Sequence, residues 1–380
     1  MAAYHQMGHD SWNLVGEDEL RSYRGLVLSP VNNGPAEMAE KLGALGSLRS
    51  ALDVVLDPQF YKPSSDRGSL PDWSHITNDF ETADLGDIDW WADRCRKLLQ
   101  EGERVGASSI ASPAIIPRTF DPDYYDSVVA CADLMDNMAQ ERQISTLVTV
   151  IVRLAEVAQP GFAERIASIV TRSRVNRVYL VFFDDGSPRA QRTDVDALAG
   201  GMRLIRTLES AGSRVLVAFS GLDMLLWKSA GATDVATGKF FNLRRFVPGR
   251  WDDADDGGRV LPYWTDDDFV TWLREDDVRL LLKLGLIDAD RAAVNPFSRE
   301  ILELLQKHGG EPWVRLGWRQ YLYWFGQREG DIEIGKATAR EILVHADQHW
   351  TALDQRGAYL FERTNNGEWV RAWLNALLLT

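Results

Sequence analysis

"TLVTVIVRLAEVAQPGFAERIASIVTRSRVNRVYLVFFDD" spans residues 146–185. Two β-branched apolar runs, 146–152 and 177–185, flank an amphipathic stretch that opens at Pro160. Neither run alternates cleanly between apolar and polar residues, as expected of strands covered on both faces. Strand, helix and strand in this order predict two parallel strands joined by a right-handed crossover.

The same unit recurs in both directions. Toward the N-terminus lie "GLVLSP" (25–30), "DVVLDP" (53–58) and "ASSIASP" (107–113); toward the C-terminus lie "RVLVAFS" (214–220) and "TDVATG" (233–238). The stretches between them read as helices, several starting at Asp or Pro. These strands, with "RVLPYW" (259–264) as the eighth, predict an α/β fold of the (β/α)8 TIM-barrel type. A doubly wound open sheet is the competing arrangement. Its Gly-rich phosphate loop after the first strand has no counterpart in "SPVNNGP" (29–35). After about residue 268 the strand signal stops, and "DDFVTWLREDDVRLLLKLG" (267–285) opens a run of helical segments holding seven of the 14 tryptophans. The expected division is a barrel over 1–267 and a helical, Trp-rich domain over 268–380. Long loops at 61–86 and 247–267 fall at or near the C-terminal ends of strands, where barrel active sites are built.

The formal charge of −14 is local rather than general. Residues 57–93 hold nine acids against two bases and residues 252–290 hold twelve against four, whereas 159–250 hold fourteen bases against eight acids. That distribution excludes a whole-surface DNA binder but not a polyanion partner. No apolar run reaches the ~18 residues of a membrane span, and the first residues lack the basic start and apolar core of a signal peptide. Two cysteines, Cys95 and Cys131, support neither a disulfide framework nor a Cys-rich zinc site. A cytoplasmic chain without cofactor or bound metal is expected. His345 and His349 stand four apart on a predicted helix, a spacing that can bind metal, and are read as a solvated face.

In a barrel, chemistry comes from strand C-termini. Those ends supply Asp57, Asp184, Asp185 and Asp234 as candidate catalytic carboxylates, and Asn32, Asn33, Gln59, Tyr61 and Arg153 as candidate substrate contacts. Converging carboxylates suit cleavage of a glycosidic or N-glycosidic bond, one acting at the oxocarbenium-like centre and another on the leaving-group proton. An aspartate after a strand also caps the next helix, which is the competing account for Asp184 or Asp185. Residues 231–251, "GATDVATGKFFNLRRFVPGRW", interleave Lys239, Arg244, Arg245 and Arg250 with Phe240, Phe241, Phe246 and Trp251. Basic side chains can take phosphates, aromatics can stack on bases, and Asn242 can read a base edge. Pairing of the arginines with the acidic stretch that follows is the alternative.

The barrel layout, "VVLDPQFY" (54–61) and "GLDMLLWKSAGATDVATG" (221–238) resemble the tRNA-guanine transglycosylase superfamily over roughly residues 24–265. Within it, the similarity is nearest to the divergent branch of DNA-modification enzymes and anti-phage DNA glycosylases. The resemblance implies Asp57 beside the base and Asp234 as nucleophile on the sugar carbon, two residues earlier than in the family. The family's zinc-binding cysteine cluster is missing, and "FFDDGSPR" (182–189) replaces its Gly-rich base-contacting loop. The resemblance therefore implies excision of a modified base from DNA, with water in place of an incoming base. Base exchange in DNA or tRNA, a carbohydrate-active barrel hydrolase and a non-catalytic binding scaffold are the alternatives.

Overall fold

The computed structural model describes residues 3–77, 79–252, 260–307, 312–363 and 365–380. Eight parallel strands close into a barrel in sequence order. They are β1 (Ala3–Gln6), β2 (Gly25–Leu28), β3 (Asp53–Leu56), β4 (Ser109–Ala111), β5 (Ser145–Arg153), β6 (Arg177–Phe183), β7 (Arg214–Ala218) and β8 (Asp234–Thr237). Closure runs through β1, where Tyr4 is in register with Gly25 of β2 on one side and Ala236 of β8 on the other. The predicted barrel is therefore present, with one strand corrected. The sequence reading began the barrel at residue 25 and used 259–264 to close it. Instead "AYHQ" is the first strand, and Val260–Tyr263 are irregular; Arg259 lies outside the described residues.

The period of two along each strand sorts the side chains. Leu26, Leu28, Val54, Leu56 and Ile110 join an outer cluster with Met38, Leu42, Cys95, Leu98 and Leu99. Those partners sit on α1 (Pro35–Ala44) and α2 (Ile88–Val105). Val27, Val55, Ala111 and Leu147 belong to the other, larger cluster. Around the rest of the barrel run α3 (Pro122–Ala139), α4 (Leu154–Val157), α5 (Phe162–Val170), α6 (Val195–Ser210) and α7 (Met224–Ser229). Asp87, Asp121 and Asp194 cap α2, α3 and α6 by accepting from backbone N–H groups, so several aspartates after strands are structural caps. Gly25 has to be glycine, because a Cβ there would overlap the Asp53 carbonyl oxygen and the Tyr4 ring.

The N-terminal end of the barrel is closed by polar contacts. Tyr4 Oη and Arg177 Nη2 both donate to Asp53 at 2.8 Å, and Ser109 Oγ donates to the same carboxylate at 3.2 Å.

Beyond β8 comes an antiparallel hairpin, β9 (Trp264–Asp266) and β10 (Thr271–Leu273). The second strand corrects the reading of 267–285 as helix throughout. Six helices follow among the described residues: α8 (Glu275–Lys283), α9 (Ala289–Ala292), α10 (Pro296–Gln306), α11 (Val314–Glu333), α12 (Ala339–Gln355) and α13 (Glu368–Leu378). They share one apolar core with the barrel. Tyr23 Oη donates to the Leu322 carbonyl at 2.9 Å, Thr237 and Tyr321 hydroxyls lie 2.6 Å apart, and Trp373 Nε1 donates to the Arg192 carbonyl at 2.8 Å. No helix among the described residues is long and apolar enough to cross a membrane.

Candidate active site at the barrel mouth

Asp57 follows β3 at the C-terminal mouth and is 1% exposed. Its carboxylate accepts from the Gln59 N–H at 2.9 Å, from Tyr61 Oη at 3.0 Å and from Tyr179 Oη at 3.1 Å. Burial pushes the Asp57 carboxyl up to about 6 against the pull of those bonds and of the nearby Arg250 charge. Arg250 is itself buried and lowered to about 10 by desolvation; its Nη2 donates to Ser29 Oγ at 3.2 Å.

Gln59 holds this arrangement through a backbone that side chains rarely adopt, φ 52°. Its Oε1 accepts from the Val31 N–H at 2.8 Å and its Nε2 donates to Ser29 Oγ at 2.9 Å, tying the loops after β2 and β3 together. Phe219, after β7, has a similar φ of 53°.

Over this carboxyl lies an aromatic cover. Tyr61 meets Trp251 at 4.7 Å and Phe246 at 4.9 Å between ring centroids, and Phe246 meets Phe219 at 5.2 Å. The cover is tied to the loop after β3, with Ser65 Oγ donating to the Trp251 carbonyl at 2.6 Å and Lys62 paired with Asp252. Gln6 Oε1, Arg250 Nη1 and Trp251 Nε1 are buried without a hydrogen-bond partner among the described residues. Gln6 is bonded to Tyr179 and Trp251 packs on Tyr61, both of which hold Asp57, while the Arg250 charge acts on Asp57 itself.

The other candidate carboxylates lie near cations, Asp184 and Asp185 just past β6 on the same face and Asp234 at the opposite end. Asp234 opens β8 instead of ending it, and so lies at the N-terminal end of the barrel, 3.5 Å from Arg24. Burial raises it to about 6, against the Arg24, Arg214 and Arg177 charges. It cannot share a cavity with Asp57, which corrects its expected place. Asp184 sits between Arg192 and Arg245, whose charges outweigh burial and hold its carboxyl below the usual range. Asp185 is exposed and pairs with Arg153 at 2.7 Å. Asn32 donates to Ser29 Oγ at 2.6 Å, beside the site, while Asn33 Oδ1 accepts from Trp12 Nε1 at 2.9 Å.

The expected basic track is not a surface. Arg244 is 4% exposed, with its guanidinium carbon 3.4 Å from the Tyr321 ring centroid and 4.7 Å from that of Phe241. It donates to the Gly238 and Lys239 carbonyls at 3.1 and 2.8 Å. Arg245 is spent on Asp184 and Arg250 on the mouth. Of that set only Asn242 is exposed.

The partners Tyr179, Gln6 and Ser29 were missed by the sequence reading. Tyr179 carries a usable signal, since it shares the inward register of β6 with Arg177.

A metal has one conceivable place among the described residues. Ligand atoms of Asp268, His345 and His349 lie within 4.8 Å of one another. The Arg291 guanidinium already occupies that position, 2.9 Å from Asp268 Oδ1 and 3.4 Å from His345 Nε2.

No family model matches the chain, and no curated protein matches it. Among solved structures, an L-ribulose 3-epimerase is similar at 12% identity and a TM-score of 0.36, over 82% of this chain and 100% of that one. The spore cortex-lytic enzyme SleL of Bacillus megaterium QM B1551 is similar at 10% identity and 0.38, over 68% and 74%. N-acetylneuraminate lyase from Mycoplasma synoviae gives 8% and 0.34, over 87% and 97%. At these values the likeness carries nothing about activity.

Proposed function

We propose that this chain is a hydrolase of glycosidic bonds with the Asp57 carboxyl as its proton donor. The observation that carries the reading is that carboxyl itself, buried at the mouth of a closed barrel and raised to about 6 while two tyrosine hydroxyls hold it. A general acid works best with a pKa near the working pH. After the proton leaves, Tyr61 and Tyr179 donate to the carboxylate and Arg250 balances its charge.

The finer reading is removal of a modified base from DNA. Hydrolysis of carbohydrate chains ordinarily uses two carboxyl groups about 5–10 Å apart across the bond. Of the three candidate aspartates at the C-terminal face, Asp184 and Asp185 are engaged by arginines, and Asp57 makes no ion pair among the described residues. One acid suffices for base excision: Asp57 protonates the base so that it leaves neutral, and water adds to the oxocarbenium-like sugar carbon and returns its proton to the Asp57 carboxylate. A flipped base needs an enclosed pocket, and a modified base unstacks most readily. On this reading the cover of Phe246 and Trp251 moves aside to admit the base. The resemblance to DNA-modifying transglycosylases, and the setting of defence against phage DNA, belong to the same proposal.

The test is base release. The chain is incubated with unmodified DNA, with DNA carrying hypermodified cytosines, with bulk tRNA and with a neutral polysaccharide. Free bases are read by mass spectrometry, abasic sites by alkaline cleavage and new reducing ends by colorimetry. Release from modified DNA alone, lost in Asp57→Asn, supports the reading. Reducing ends from the polysaccharide alone keep the acid and change the substrate. No product from any of the four overturns it.

A further inference from the structure

A second site lies on the rim of the same face. A cavity of about 380 Å³ is lined by Arg189, Lys239, Phe241, Asn242, Tyr263 and Trp318, among others. Its residues come from the loop after β6, the segment after β8, the approach to β9, and α11. Barrel enzymes often bind phosphate on the loops after their last two strands, and Lys239 stands two residues past β8.

The lining holds three cationic residues and, among the described residues, no carboxylate, in a chain of net charge −14. Arg244 among them is committed to carbonyls and to its ring cage. The other two cations make no ion pair among the described residues, although the Glu362 charge acts on Arg189 from the neighbouring cavity. Lys239 is 4% exposed and forms part of the cavity wall; its Nζ lies 4.8 Å from the Trp318 ring centroid and 5.0 Å from that of Phe240, and makes no ion pair among the described residues. Burial lowers its pKa against the pull of the Asp10 charge, and the Arg315 charge adds to the lowering. Arg189 donates to Tyr263 Oη at 3.0 Å, a neutral partner. Glu362 reaches the same hydroxyl at 3.4 Å but lines the neighbouring cavity instead of this one.

Unpaired cations call for an anion. The aromatic walls call for a flat ligand, because bases stack on aromatic rings. The Asn242 amide offers a donor and an acceptor for a base edge. The volume sits near the small end of ligand pockets, about 300–1,000 Å³, room for one such unit.

We propose that this cleft binds a nucleoside monophosphate, free or as one unit of a single strand, with its phosphate on Arg189 and Lys239 and its base against Phe241, Tyr263 and Trp318. The site stands on its own geometry and holds whether or not Asp57 cleaves a glycosidic bond.

The experiment is calorimetric titration of the full chain with each deoxynucleoside monophosphate, its nucleoside, inorganic phosphate and a short single-stranded oligonucleotide. A monophosphate is expected to bind saturably, with nucleoside and phosphate each at least about tenfold weaker. Lys239→Gln and Arg189→Gln are expected to weaken it by a similar factor, with Lys239→Arg staying close to the unaltered chain and melting temperatures checking the fold. Oligonucleotide binding with the same sensitivity identifies a strand as the source; binding of the monophosphate alone identifies a free nucleotide. Equal binding of nucleoside or phosphate, indifference to both Gln substitutions, or no saturable heat overturns the proposal. Asp57→Asn is expected to leave this binding unchanged while abolishing base release, so the two readings fail separately.

Discussion

Tyr179 Oη donates to Asp57 Oδ2 at 3.1 Å, joining the middle of β6 to the loop after β3 across the barrel interior. The bond favours the ionised carboxylate, whereas burial favours the protonated one. With burial the larger effect, the acid titrates at about 6. Activity is therefore expected to fall as pH rises through about 6, and Asp57→Asn to lower it by roughly 10²–10⁴-fold. Tyr179→Phe removes a bond to the charged form, so the alkaline limb should move up by about one unit, the equivalent of ~1.4 kcal/mol. A pH–rate profile of the base-release assay checks both. A limb that stays in place in Tyr179→Phe removes Asp57 as the titrating acid.

The same shift sets a stability signature. The folded Asp57 binds its proton more tightly than the unfolded chain does, so its contribution is most favourable below about pH 4. It is lost as pH rises through 6. A rise of about two units corresponds to about 3 kcal/mol. Between pH 4 and 7, Asp57→Asn should gain about that much relative to the unaltered chain, whatever their offset at pH 4. Paired urea titrations at the two pH values measure it. A gap that does not change with pH shows that Asp57 is an ordinary carboxylate.

Asp234 gives the opposite expectation for activity. It lies at the far end of the barrel beside Arg24, at the face where barrels keep residues for stability. Asp234→Asn should leave the rate within about twofold of the unaltered chain, since no interaction with the reacting atoms is removed. Loss of turnover with the fold intact would restore it as a nucleophile.

The barrel was legible because most of its strands are apolar runs separated by capped amphipathic helices. β1 was not, because "AYHQ" is four residues long and half polar, and only its neighbours bury it completely. Missing it moved every strand number by one and made 259–264 look necessary. Asp57 could be placed from its position after an apolar run and before proline. Asp234 could not, because "TDVATG" does not mark which end the ladder enters. Gly231, with φ 95°, ends the preceding helix only three residues earlier and was the available clue. Arg244 looked like a phosphate contact because Tyr321 and Trp272, which enclose it, stand far away in sequence.

That enclosure yields the last prediction. Arg244 is fully desolvated, and two backbone carbonyls and three aromatic rings take the place of water. Arg244→Met leaves those carbonyls without their donor and the rings without their cation. It should lower stability by about 2–4 kcal/mol. Arg244→Lys should recover little of it, because an ammonium lacks the planar fork that bonds both carbonyls while lying flat on Tyr321. Urea midpoints of the two variants measure the effect. The salt dependence of any DNA binding should be the same in Arg244→Lys as in the unaltered chain, since a buried guanidinium releases no counterion from DNA. A normal urea midpoint in Arg244→Met, joined to a shallower salt slope, would put this arginine back on a nucleic-acid surface.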